Sequence, residues 1–153
     1  MKSQKGFSLV ELLVVVIIIA IVAAIAIPNL LASRRAANEA SAISTLRTYH
    51  SAEATYQATQ GAQTAYGNEV DLANLVDAVL ATDGPTKSGY QFQVTVGGTG
   101  NSTYCANAVP TTVGTTGTRR FGVSVDGVIY NRDDATITCA AGVLTTAGAT
   151  PIS

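Results

Sequence analysis

An unbroken run of apolar residues, Leu12–Ile27 (LLVVVIIIAIVAAIAI), limits what this chain can fold into more than any other feature. No charged side chain occurs from Leu12 to Ser33. Counted from Phe7, with Ser8 and Glu11 as polar exceptions, the segment reaches the roughly 20 residues that a helix needs to cross a bilayer. In lipid every backbone N–H and C=O must bond within the segment, so helix is predicted there despite the β-branched residues. The stretch is longer than the roughly 7–15 apolar residues of a secretory signal. Pro28-Asn29-Leu30-Leu31 follows it in place of a small-x-small cleavage triplet, so the segment is expected to stay in the mature chain.

Charged residues make up 12% of the chain against 47% hydrophobic, a charged share well below that of an ordinary soluble domain. The basic residues are scattered, which gives no footprint for nucleic acid. Lys2 and Lys5 favour a cytoplasmic N-terminus, while Arg34 and Arg35 beyond the run oppose it. Pro28 removes a backbone donor and crowds the carbonyl of Ala24, so a kink or local melt is expected there. Helix then resumes, with Ala42, Leu46, Tyr49 and Tyr56 as an apolar stripe and Arg35, Glu39, Ser41, Ser44, Thr48 and Ser51 on the other side. A helix from Phe7 to about Gln57 would be roughly 75 Å long. That exceeds a membrane, so its second half needs another partner.

Gly61 is the expected stop. A short helix is predicted next, capped by Asp71, with Leu72, Leu75, Val76, Val79 and Leu80 on one face and Asp83-Gly84-Pro85 as its end. The period then changes to two over Tyr90–Val96 and again over Phe121–Val125. Asp126-Gly127 reads as a two-residue hairpin turn, with Val128–Tyr130 returning. Gly97–Thr118 reads as loop with a short strand around Tyr104, and Thr136–Cys139 as a last strand. The fold class is α+β: a long helix whose stripe covers one face of a small antiparallel sheet.

Ahead of the apolar run stands Lys5-Gly6-Phe7-Ser8-Leu9-Val10-Glu11. A short basic leader ending in Gly, then Phe, then Glu four residues on, then the apolar run and Pro28, resembles the signal of type IV pilin precursors. The resemblance is specific over about the first 30 residues; beyond them the match is one of architecture. It implies a leader at 1–6, an apolar membrane and filament-core half-helix at 7–31, and an amphipathic half-helix plus globular head at 32–153. It implies cutting by a prepilin peptidase between Gly6 and Phe7, methylation of the Phe7 amine, assembly through Glu11, and loosening of the helix at Pro28. Where many relatives have Gly near that point, this chain has Ala20, a better helix former by roughly 1 kcal/mol. The partners implied are the membrane before assembly, the inner-membrane assembly machinery, and further copies of the chain in an extracellular filament. Adhesion and twitching belong to that family.

The residues support these roles on their own. Cutting before the anchor keeps it and creates an amine at Phe7. That amine is the cation available to Glu11 between Phe7 and Ser33. A carboxylate deep in a bilayer costs on the order of 3 kcal/mol, less near the interface. Pairing with the amine of a neighbouring copy would set an axial step; protonation or snorkelling is the plainer reading. Cys105 and Cys139 are expected to form a disulfide in a loop-rich domain outside the cytoplasm, the alternative being two buried thiols. In relatives such a bridge bounds a variable surface loop.

His50 reads as a packed or solvated residue. Asp126, Asn131, Asp133 and Asp134 read as turn chemistry in preference to a calcium loop. Arg119-Arg120 reads as a solvated strand end, and Asn101-Ser102-Thr103 as a chance sequon. No catalytic grouping, metal cluster or cofactor motif is apparent, so a structural protein is expected, not an enzyme. The major pseudopilin of a type II secretion system and a monomeric signal-anchored surface domain are the competing readings. Pseudopilins generally lack the cysteine pair and carry a C-terminal calcium loop. A simple anchor has no need of Gly6-Phe7 with Glu11.

Overall fold

In a computed structural model of the chain, residues 6–133 and 137–152 are described. Lys2, Lys5, Asp134 and Thr136 lie outside them. The chain divides into two compact units, one ending at Arg34 and one beginning at Arg35.

The first unit is helical. Helix α1, Leu9–Thr59, carries Pro28 inside it and continues past Arg35 into the second unit. Around Pro28 two side chains bond back to the helix. Asn29 Nδ2 donates to the Ile25 carbonyl at 3.2 Å, and Ser33 Oγ donates to the Asn29 carbonyl at 3.0 Å. Every Val, Ile, Leu and Phe from Phe7 to Leu31 is at least 46% exposed. This apolar surface therefore has no cover within the described residues.

The second unit is a six-stranded antiparallel sheet in the order β1-β2-β3-β4-β5-β8, with the rest of α1 packed on one face. The strands are β1 (Thr86–Lys87), β2 (Tyr90–Gly97), β3 (Thr103–Pro110), β4 (Arg120–Ser124), β5 (Ile129–Arg132) and β8 (Thr150–Ile152). A separate hairpin pairs β6 (Thr138–Ala140) with β7 (Val143–Thr145). Ala42, Leu46 and Tyr49 of α1 meet Phe92 and Val94 of β2, Tyr104, Ala106 and Ala108 of β3, and Phe121 and Val123 of β4. The Tyr49 hydroxyl donates to the Leu80 carbonyl at 2.7 Å, which ties the connection after α1 onto the core.

The helix stripe holds two surprises. Glu39 and Glu53 are buried, and with Ala42, Leu46 and Tyr49 they follow one alternating three–four spacing. Glu39 is thus not on the solvent side. Its Oε1 accepts from Thr118 N–H, Thr118 Oγ–H and Arg119 N–H at 2.9, 3.0 and 3.3 Å, and its Oε2 accepts from Arg119 Nε at 2.8 Å. Arg119 accordingly does not behave as a solvated strand end: it pairs with Glu39 and lies over the Phe121 ring. Burial pushes the Glu39 carboxyl up, but the donors of Thr118 and Arg119 outweigh it and hold the group below its usual value. Its stabilising contribution is therefore full above the usual carboxylate range and is lost as pH falls through the lowered value. Glu39→Ala strands two backbone N–H groups and should cost about 2–3 kcal/mol at neutral pH. Thermal melts of variant and wild type should converge on acidification; an equal gap at every pH would remove the carboxylate from this account.

Three other expectations are corrected. Residues 69–82 form successive turns, not a helix. Asn68 Oδ1 takes the N–H groups of Val70 and Asp71, while Leu72 and Leu80 turn inward and Val79 outward, so burial follows the turns and not one helical face. The strand around Tyr104 is eight residues long and central, because small Ala106 and Ala108 allow α1 to lie close. The Asp126-Gly127 hairpin is not a two-residue turn: Val123 pairs with Ile129, Gly127 N–H bonds the Ser124 carbonyl, and Gly127 has φ +70°. That is a longer loop, a turn closed by a left-handed glycine. It leaves Val125 outside and keeps Val123 and Ile129 in the core.

Candidate processing and assembly site

Gly6, Phe7 and Ser8 precede the first helical turn, and α1 begins at Leu9. Ser8 is its N-cap. Ser8 Oγ accepts from Val10 N–H at 3.3 Å, and the Ser8 carbonyl accepts from Leu12 N–H at 3.3 Å. Glu11 reaches back, its Oε2 accepting from Ser8 N–H at 2.9 Å. Ser8 and Glu11 therefore form a variant of the capping box, with Ser8 Oγ on the N2 N–H of Val10 and not on the N3 N–H, which satisfies orphan donors of the first turn. The negative charge also sits where the helix dipole favours it. Sequence reasoning missed this role, although Ser-x-x-Glu directly before an apolar run is its recognised signal.

Gly6-Phe7 is an exposed dipeptide immediately outside a fixed helix start. A Cβ built on Gly6 would meet nothing within 4 Å, so the chain's own packing does not demand glycine there. Glu11 is held in the first turn, next to where cutting after Gly6 would leave an amine. Within the first unit the nearest cation in sequence beyond it is Arg34. Among the described residues, α1 is one helix long and apolar enough to cross a membrane.

The other singled-out residues are dispersed. Cys105 and Cys139 are joined, with S–S at 2.01 Å. The His50 ring bonds the Tyr104 hydroxyl through Nδ1 and lies against the Gly127 turn. Asp126 accepts from Ser124 Oγ–H, Val128 N–H and the Tyr130 hydroxyl, which is turn chemistry. Among the described residues no group of three His, Cys, Asp or Glu side chains is placed to hold a metal ion; Asp134 lies outside them.

Residues 1–27 match the family described as the prokaryotic N-terminal methylation motif. The chain is also similar to the type IV wide pilus major component PilA4 of Thermus thermophilus, 54% identical over 39 residues. That stretch covers 26% of this chain and 30% of the relative. No solved structure matches the chain. Residues 1–27, which the family model matches, carry Gly6, Phe7, the Ser8–Glu11 box and most of the exposed apolar helix. On this evidence the N-terminal segment of the chain is similar to that of type IV pilin precursors.

Proposed function

We propose that this protein is the major subunit of a type IV pilus. Residues 1–6 are a leader that a prepilin peptidase removes between Gly6 and Phe7. The new Phe7 amine is methylated, and residues 7–31 hold the subunit in the inner membrane with the 32–153 head outside. The assembly machinery then draws the subunits into an extracellular filament. There the apolar half-helices pack on one another, Glu11 pairs with the Phe7 amine of a neighbour, and the helix loosens at Pro28.

The observation that carries this reading is the exposed apolar surface from Phe7 to Leu31, headed by one carboxylate. Lipid covers such a surface before assembly and neighbouring copies cover it afterwards. The Cys105–Cys139 bridge favours pilus over secretion pseudopilin, since those relatives generally lack the pair.

Sheared surface material should contain thin filaments whose main band begins at methylated Phe7 by intact-mass analysis. Met1 retained in assembled filaments would overturn the reading. Gly6→Val should leave the fold intact, because the position is open, and should stop cutting. Full-length precursor would then accumulate in the membrane and filaments would be lost. Normal cutting of that variant would exclude Gly6 as a recognition element.

A further inference from the structure

Two buried glutamates fasten the segment between α1 and the sheet. Glu53, on α1, is fully buried; its Oε2 accepts from Gly67 N–H at 2.9 Å, and its Oε1 has no hydrogen-bond partner. Glu69, within the segment, is also buried and accepts from Val94 N–H on the β2 edge. Residues 61–71 are thus pinned at Gly67 by a carboxyl of the helix and at Glu69 to the sheet.

The surroundings of Glu53 are short of positive charge. Asp71 and Glu69 face it from the segment itself. Tyr104 faces it from β3, with Tyr66 and Asp126 beside that tyrosine and His50 bonded to its hydroxyl. Glu69 in turn faces Asp83 and lies near Tyr49. An ionised Glu53 would leave one desolvated oxygen without a donor, close to two further acidic groups.

We infer that residues 61–71 form a strap latched by a proton on Glu53, and that loss of this proton loosens the strap and uncovers the β2 edge at Val94. This inference does not depend on the filament reading.

Burial, partly offset by the Gly67 N–H and reinforced by Asp71 and Glu69, moves the Glu53 carboxyl from 4.5 to about 7. With the strap open, the group meets water and titrates near its usual value. The closed strap is therefore favoured most below about 4.5 and loses that advantage as pH rises. The advantage is gone above about 7. Between those values the open fraction grows about tenfold per pH unit.

Hydrogen exchange on the full chain in detergent micelles, corrected for intrinsic exchange chemistry, tests this between pH 5 and 8. Opening of a peptide covering 61–71 should rise about tenfold per pH unit and level off near neutrality. A β3 peptide should not change. Glu53→Gln keeps an acceptor for Gly67 N–H and has no proton to lose, so its strap should follow pH much less steeply than the wild type's, the remainder coming from Glu69, whose carboxyl burial also raises. A flat wild-type strap, or a glutamine variant that follows pH as steeply as the wild type, would overturn the inference. A carbon-13 titration of the wild-type Glu53 carboxyl gives an answer independent of the variant's folding. A midpoint near neutrality supports the latch, and one below about pH 5 overturns it.

Discussion

Glu11→Ala is expected to leave the protein in the membrane and to abolish its filaments. In the proposed assembly every subunit places a Glu11 carboxylate against a neighbour's Phe7 amine, inside an apolar bundle. Removing one partner of a buried ion pair costs roughly 3–5 kcal/mol, because the other charge is left alone. At about 1.4 kcal/mol per factor of ten, each contact weakens more than about 100-fold. A polymer repeats that loss at every step, so elongation fails.

Glu11 also caps the helix through Ser8 N–H, so alanine removes two things at once. Loss of a cap costs about 1 kcal/mol and acts on one turn. Glu11→Gln separates the roles, since its amide oxygen still accepts from Ser8 N–H but carries no charge. Both variants should insert, be cut and be recovered in the membrane by blotting, with filaments absent by electron microscopy. Filaments restored by glutamine would make Glu11 a capping residue. Normal yield from alanine would end the assembly role.

The sequence was most readable where side-chain period and burial agree. The Ala42–Leu46–Tyr49 stripe and the Tyr90–Val96 alternation both appear in the elements they predict, and the exposed, unbroken Leu12–Ile27 run is helix on the strength of its length and apolarity alone. It was misleading where a polar residue occupied an apolar position. Glu39 and Glu53 lie on the helix stripe, but a carboxylate reads as a solvent-facing residue unless its donors are known. Those donors come from Thr118, Arg119 and Gly67, and no local spacing connects them to the helix.

Small residues hid other elements. β3 is central yet carries Ala106, Asn107 and Ala108 at its middle, so its alternation is faint. The β6–β7 hairpin turns on Ala141-Gly142, both at positive φ, and alanine is not a residue that announces such a turn. The turn is explained by its neighbour: a Cβ on Gly97 would collide with the Ala141 carbonyl, so the bare backbone of β2 admits it. At the candidate site the motif singles out Gly6, Phe7 and Glu11, and the structure places them at and just before the first turn of α1. Ser8-x-x-Glu11 directly before the apolar run also carries the signal for the helix cap that the structure shows.

Cys105→Ala with Cys139→Ala should cost roughly 3–4 kcal/mol, the chain-entropy value for a closed loop of this length. The two cysteines are 34 residues apart in sequence, so reducing the bond frees a long segment in the unfolded chain. The folded chain has a particular use for the constraint. β6 and β7 lie across the side of β3 that α1 does not cover, with Ile137 buried and Asn107 Nδ2 donating to its carbonyl at 3.3 Å. β6 and β7 pair with each other and not with the six-stranded sheet, so few backbone hydrogen bonds hold that cover in place. The disulfide fastens it at Cys139, on β6, to the centre of β3 at Cys105. The double variant should therefore melt on the order of 10–20 °C lower, with its earliest exchange in residues 137–145 and the α1 face of the sheet still protected. Melting of the full chain in detergent, with and without reductant, should give the same difference for wild type. A loss under about 1 kcal/mol, well short of the chain-entropy value, would mean that packing of Ile137 and the Gly97 contact hold the hairpin without the bond.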